Sequence, residues 1–222
     1  MSARKPAVKG ETRFQRYRST VAYAKHVIFH PFDGFWDLVH EKRGSLAAAH
    51  TFLAIALITY VLRLLYTSFQ FIEAPIQYIN VYEQIGSLLF PFLILCVSNW
   101  SLSTLFDGKG RFRDIYMAMC YALVPYFLIQ LPMIPISYLI SFDELAYYNV
   151  LGSISVIWPV FLVFVGLMQI HDYSLGKSVI FLFATIFGAL VILFLILVFF
   201  SLLSDAYSFF LSLYREVSFR IR

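Results

Sequence analysis

The run His30–Gly44, HPFDGFWDLVHEKRG, holds the densest group of side chains able to bind a metal. Asp33, Asp37, His40 and Glu41 gather on one polar helical face, and His with carboxylates suits zinc or manganese. No second strong ligand pair closes the group, so it reads as a solvated face and no metal is assigned. Cys96 and Cys120 fall within apolar runs, at different depths on the sequence placement, and read as small packers rather than a disulfide. Ser153 and Ser155 have no His or Lys placed to activate them. The metalloprotease pattern HExxH is absent. So is the phosphate-cradling GxxxxGK(S/T) loop, and DGKG at Asp107–Gly110 is a turn with a lysine. The expectation is a protein without catalytic residues or a cofactor.

A different chemistry is concentrated between Ser98 and Pro135. The segment SNWSLSTLFDGKG (Ser98–Gly110) is followed by YALVPY (Tyr121–Tyr126) and QLPMIP (Gln130–Pro135). Pro125, Pro132 and Pro135 remove three backbone donors and invite kinks. Inside a membrane the freed carbonyls must be met by side chains or water. Asn99, Ser101, Ser103, Thr104 and Gln130 are able to meet them. The spacing predicts a polar seam, Asn99–Thr104 against Tyr121–Gln130. Its named residues are Asn99, Trp100, Asp107, Gly108, Tyr121, Pro125, Tyr126 and Gln130. Three uses stay open: packing between helices, a polar path for a substrate, or a binding seam for another membrane protein.

Such a seam needs elements that cross a bilayer, and the composition demands them. The chain has 222 residues, 60% apolar and 14% charged. Soluble domains run at about 45–50% apolar and about 25% charged. A soluble core of this size cannot hide so much apolar surface. Five apolar runs follow, at about 46–66, 85–106, 115–140, 150–170 and 178–203. Each is about 20 residues or longer, as a ~30 Å hydrocarbon core requires of a helix. Arg63 is the one formally charged residue inside them, near an end where its side chain can reach headgroups. The segment FGALVILFLILVFF (Phe187–Phe200) shows no alternation, which excludes a transmembrane barrel. The expected fold is all-α: a polytopic membrane bundle of five transmembrane helices (45–204), preceded by interfacial helices (1–44) and followed by a short amphipathic tail (205–222).

Charge placement sets the expected orientation. Of 17 Lys and Arg, nine precede Gly44. The loop after the second run carries Lys109, Arg111 and Arg113, whereas the first and third loops carry only acids, among them Glu73 and Asp143. The positive-inside rule then predicts a cytoplasmic N-terminus and an extracytoplasmic C-terminus, against which Arg215, Arg220 and Arg222 count. A re-entrant last segment is the alternative. The basic balance comes without a base-reading motif, so no nucleic acid partner is expected.

The arm itself is patterned. Phe14, Tyr17, Val21, Ala24 and Ile28 share one helical face, with Arg13, Arg16 and Arg18 largely off it. Such a basic amphipathic helix lies on anionic lipid or docks on a partner, lipid being the plainer choice. Pro31 suits a helix start, and Phe32, Phe35, Trp36 and Val39 form an apolar stripe. A second interfacial helix is expected there. A faint repeat joins Phe90-Pro91 and Asp107-Gly108-Lys109 to Trp158-Pro159 and Asp172 with Gly176-Lys177.

The run HPFDGFWDL…EKRGS, the NW…LFDGKG end of the second run and YALVPY together resemble bacterial members of the Yip family, over about residues 26–222. The resemblance implies a cytoplasmic N-terminus, five helices, no known catalytic activity and a multi-pass place in the cell membrane. Eukaryotic relatives are linked with Rab GTPases and vesicle transport. The short basic arm stands where those have a longer cytosolic region, so a GTPase partner is not supported by the sequence itself. The expected role is a non-enzymatic organiser or assembly partner in the bilayer, touching other membrane proteins through lateral helix contacts. A subunit or accessory of a solute transporter or channel is the alternative.

Overall fold

The computed structural model describes residues 13–68, 71 and 80–220. The elements in order are α1 (Arg13–Phe29), α2 (Pro31–His40), α3 (Leu46–Tyr66), α4 (Val81–Ser103), α5 (Phe112–Ala122), α6 (Val124–Ile136), α7 (Leu145–His171) and α8 (Leu175–Arg220). A 3₁₀ turn, Phe142–Glu144, precedes α7, and no strand occurs among the described residues. Arg4, Lys5, Lys9, Glu73 and Arg222, on which part of the charge pattern rests, lie outside them.

Five stretches are long and apolar enough to cross a bilayer: α3, α4, α5 with α6, α7, and α8 as far as Glu216. Their outer faces carry Ile157, Val160, Phe183, Phe187 and Leu190, all well exposed. Apolar surface of that extent needs lipid as its solvent. The protein is an all-helical, multi-pass integral membrane bundle.

The third crossing is the centre of the bundle. Ile115–Ala122 is buried without interruption, and α3, α4 and α7 pack around it. It divides at Leu123 because Pro125, near the start of α6, has no N–H to donate back into α5. Tight bonds from Leu123 N to Cys120 O and from Tyr126 N to Leu123 O carry the chain across the break. Helix α3 starts on Ser45, whose Oγ accepts the Ala48 N–H at 3.1 Å. Its small Ala48, Ala49 and Ala56 are fully buried and permit close packing against α5 and α6.

The arm is part of the bundle. A Cβ at Gly34 would come within 2.8 Å of Val27 Cα, so only glycine lets α1 and α2 cross here. Phe35 is fully buried and lies flat over Gly166 of α7, whose added Cβ would stand 3.1 Å from the ring. Ala24, Val27 and Ile28 are buried as well. This corrects the expectation that the apolar faces of both arm helices rest on lipid. Burial against α3, α5 and α7 claims most of that surface, leaving Phe14, Phe32 and Trp36 outward.

The connections sort into two ends. Lys109 Nζ meets Asp172 Oδ2 at 2.9 Å, which joins the α4–α5 and α7–α8 connections at the end that carries the arm. At the opposite end Ser68 N donates to Ser137 Oγ at 2.9 Å, and Tyr138 Oη to Tyr66 O at 2.9 Å. Helix α8 then leaves. Its 46 residues extend for about 69 Å at 1.5 Å per residue, over twice a ~30 Å core. It packs on α4 and more lightly on α7, and none of its described residues after Thr185 is buried. The tail expected as a separate unit at 205–222 is instead helical and continuous with the fifth crossing as far as Arg220.

Candidate functional site

Two clusters of buried polar side chains lie between the crossing helices α4, α6, α7 and α8. The larger centres on His171, the last residue of α7, which is 1% exposed. The Gly110 N–H donates to His171 Nδ1 at 3.3 Å. With Nδ1 accepting, the ring proton sits on Nε2 and the imidazole is neutral. Nε2 faces Asn99 Oδ1 at 3.0 Å and donates to it. The Asn99 amide donates in turn to Thr185 Oγ1 at 3.3 Å, and Thr185 Oγ1 to Phe181 O at 2.8 Å. Ser98 Oγ caps the Thr185 carbonyl at 2.7 Å. The bonds run in one direction through α5's leading turn, α7, α4 and α8. Each donor has an acceptor, and the network fixes four elements relative to one another.

Backbone geometry brings these groups together. Asp107 and Asp172 both have left-handed backbones, with φ of 54° and 58°. Asp172 ends α7 in the αL cap manner, and Asp107 reverses the chain four residues after α4 ends. Gly108 N donates to Ser103 O at 2.7 Å, and Tyr173 N to Met168 O at 3.1 Å. The two turns then lock, since Tyr173 Oη donates to Phe106 O at 2.9 Å. A Cβ on Gly108 would lie 2.5 Å from His171 Nδ1 and 2.7 Å from Tyr173 Oη. One on Gly188 would lie 2.7 Å from Ser98 Oγ, so glycine there lets α8 approach α4. The Lys109 hydrogen bond holds the Asp172 carboxyl below its ordinary pKa.

The second place is smaller. Gln130 Nε2 donates to Ser155 Oγ at 2.6 Å, tying α6 to α7. Gln130 Oε1 and Tyr148 Oη are buried without a partner among the described residues.

The expected seam therefore divides. Asn99 turns toward α7 and α8 rather than toward Tyr121–Gln130, because α4 packs its polar flank on α8. Tyr121 is fully buried and donates to Thr20 O of α1 at 3.2 Å. Pro125 marks the α5–α6 break, Tyr126 lies beside Arg63, and Gln130 faces α7. Trp100 is half exposed, edge-on to Phe112, and Asp107 is exposed at its turn. Arg16 and Arg18 are exposed on α1; Arg13 opens that helix, its side chain outside the described set. Sequence reasoning passed over His171 and Thr185. For His171 the signal lay in Gly108 and Gly110, which both mark close approach to its ring, while Gly188 marks the approach of α8 to Ser98 of α4.

Three of the four residues on the polar face of α2 have partners, and Asp33 is exposed. Tyr23 Oη donates to Asp37 at 2.9 Å, and Arg43 pairs with Glu41 at 2.6 Å. Burial and the Asp37 carboxylate push the Tyr23 hydroxyl up. His40 stacks on Trp36. Cys96 Sγ touches Met119 Sδ at 3.2 Å, which sets Cys96 level with neighbouring Cys120 and corrects the expected difference in depth. Both cysteines are free and buried.

These locked turns, the glycine crossing at Gly34 and the proline break at Pro125 are built from the segments HPFDGFWDL, NW…LFDGKG and YALVPY. The Yip1 domain model matches residues 25–213. The chain belongs to the Yip1 domain family. No curated protein and no solved structure matches it. The Yip1 match starts within α1 and ends within α8, so it takes in the arm's second half as well as all five crossings. In this Yip1 domain the three distinctive segments fasten the arm end of the bundle: Phe35 onto α7, Asn99 and Gly108 onto His171, and Tyr121 onto α1.

Proposed function

We propose that this Yip1-family protein acts in its membrane as a non-enzymatic organiser or accessory, holding other membrane proteins by lateral helix contact. One observation carries the reading. Helix α8 joins the bundle only along its first part, and from Ile186 to Glu216 it offers Phe187, Phe194, Phe200, Tyr207 and Phe210 outward. A helix whose later part stands clear of its own bundle is a suitable partner for another. The tight His171 network supports this division of labour, giving a rigid base from which α8 extends. The arm end faces the cytoplasm of the cell membrane on this reading, because the basic residues collect there.

The test places a photocrosslinking amino acid at successive positions from Phe187 to Phe210 in native membranes, with Leu162 as a buried control. Expected are protein adducts of one discrete size, recurring every three or four positions along one flank. Adducts to lipid alone at every α8 position would overturn the reading. So would solute flux in liposomes containing only this protein, which would favour the transporter class.

A further inference from the structure

The arm end carries a cavity of about 540 Å³ that the His171 network does not use. Five cations line it: Arg16 of α1, Lys42 of the α2–α3 connection, Lys109 and Arg111 of the α4–α5 connection, and Arg113 of α5. The carboxylate among the lining residues is Asp114, and Lys109 is also engaged by Asp172 at 2.9 Å. Arg16, Lys42, Arg111 and Arg113 form no ion pair among the described residues. Like charges collected in one concavity repel one another, and field lines concentrate where the walls are of low dielectric. An anion relieves that repulsion. The remaining walls are aliphatic, Leu38, Val39 and Met117, with no aromatic ring for a base to stack on.

We propose that this cavity binds the phosphate headgroup of an anionic phospholipid. Its level in the fold fits that ligand. It opens where α3 and α5 begin, at the end of two crossing segments, which is headgroup depth for helices of this length. The guanidinium forks of Arg111, Arg113 and Arg16 suit phosphate oxygens, and Lys42 adds a point charge. Leu38, Val39 and Met117 take the glycerol and the first acyl carbons. The site differs from a diffuse basic surface in being assembled from three segments separated in sequence, so it exists only when the arm is docked. Binding the lipid there fastens α1 to the α4–α5 connection.

The experiment uses the full chain in detergent and in nanodiscs. Native mass spectrometry counts phosphatidylglycerol retained against phosphatidylcholine. Expected is one phosphatidylglycerol per chain, with roughly hundredfold weaker retention in the triple variant Lys42→Gln, Arg111→Gln, Arg113→Gln, at about fivefold for each. A control triple, Lys25→Gln, Lys177→Gln, Arg215→Gln, removes the same charge away from the cavity and retains the lipid. Equal loss in both triples means diffuse attraction and overturns the site. Because the cavity variant is open to a folding defect, the wild-type protein is also labelled with photoactivatable phosphatidylglycerol. Adducts concentrated at Lys42–Gly44 and Arg111–Met117 support the proposal, and adducts spread over the bundle overturn it. Glycerol phosphate and inorganic phosphate are added as competitors. Failure to displace the lipid supports a headgroup site, whereas displacement by inorganic phosphate at matching concentration overturns the lipid assignment.

Discussion

His171 illustrates how much one side chain can organise in a bilayer. Its two nitrogens connect the α4–α5 turn to α4 itself, and through Asn99 to α8. Replacing Asn99 by Leu leaves the His171 Nε2–H without its acceptor, while the Thr185 hydroxyl keeps its bond to Phe181 O. The expected loss is about 1 kcal/mol, with a similar coupling energy to His171→Leu in a double-mutant cycle measured by unfolding in detergent. Coupling near zero would show that the two side chains act independently. Gly108→Ala should cost more. Its methyl group would enter space held by His171 Nδ1 and Tyr173 Oη, at 2.5 and 2.7 Å, and neither ring is free to leave. Overpacking of this kind costs about 1–3 kcal/mol. An unfolding midpoint equal to the wild type's would mean that the turn relaxes and that the close approach is not a constraint.

At the scale of elements, the sequence foretold the five crossings but few of their partners, and α4, α5, α7 and α8 begin three to five residues before their apolar runs. Apolar run length located α3 at Leu46–Tyr66 to the residue, since Ser45 caps it and nothing inside it breaks. Pro125 announced the α5–α6 break. Pairing was hidden, because Asn99 has polar neighbours in sequence whichever helix it faces, and only the glycine at 188 pointed to α8. The arm was misjudged for a related reason. A periodic apolar face on α1 or α2 reads alike whether lipid or protein covers it, and Gly166, far along the chain, decides for Phe35. The joined turns yield a pH prediction. Lys109 keeps the folded-state pKa of Asp172 below its ordinary value, so the pair stabilises at neutral pH and that contribution disappears as pH falls through the lowered value. Both side chains are largely exposed, which limits the effect to a fraction of a kcal/mol, roughly. Asp172→Asn keeps a residue tolerant of the left-handed φ while removing the charge. Its unfolding midpoint should fall slightly below wild type at neutral pH and converge with it in acid. A gap that widens on acidification would contradict the sign.

For the whole molecule, the arrangement of ends carries more than any single contact. Two basic segments far apart in sequence, the arm and the α4–α5 connection, meet at one end, where Asp172 of the α7–α8 connection pairs with Lys109. The α3–α4 and α6–α7 connections meet at the other, through Ser68 with Ser137 and Tyr66 with Tyr138. Five crossings require this alternation, and the proposed orientation keeps the basic end on the side of synthesis. Helix α8 then has to deliver its far end to the side opposite the arm, despite Arg215 near its close. Single cysteines test the threading, after Cys96 and Cys120 are replaced by Ala. With an impermeant thiol reagent on intact cells, Arg18→Cys, Arg111→Cys and Gly176→Cys should stay unlabelled until the membrane is opened. Asp143→Cys and Tyr207→Cys should label at once. Labelling of Arg18→Cys and Arg111→Cys from opposite sides would break the joint between arm and α4–α5 connection, and with it the basic cavity. Shielding of Tyr207→Cys alone would leave that joint intact and show that α8 turns back, as its terminal arginine suggests.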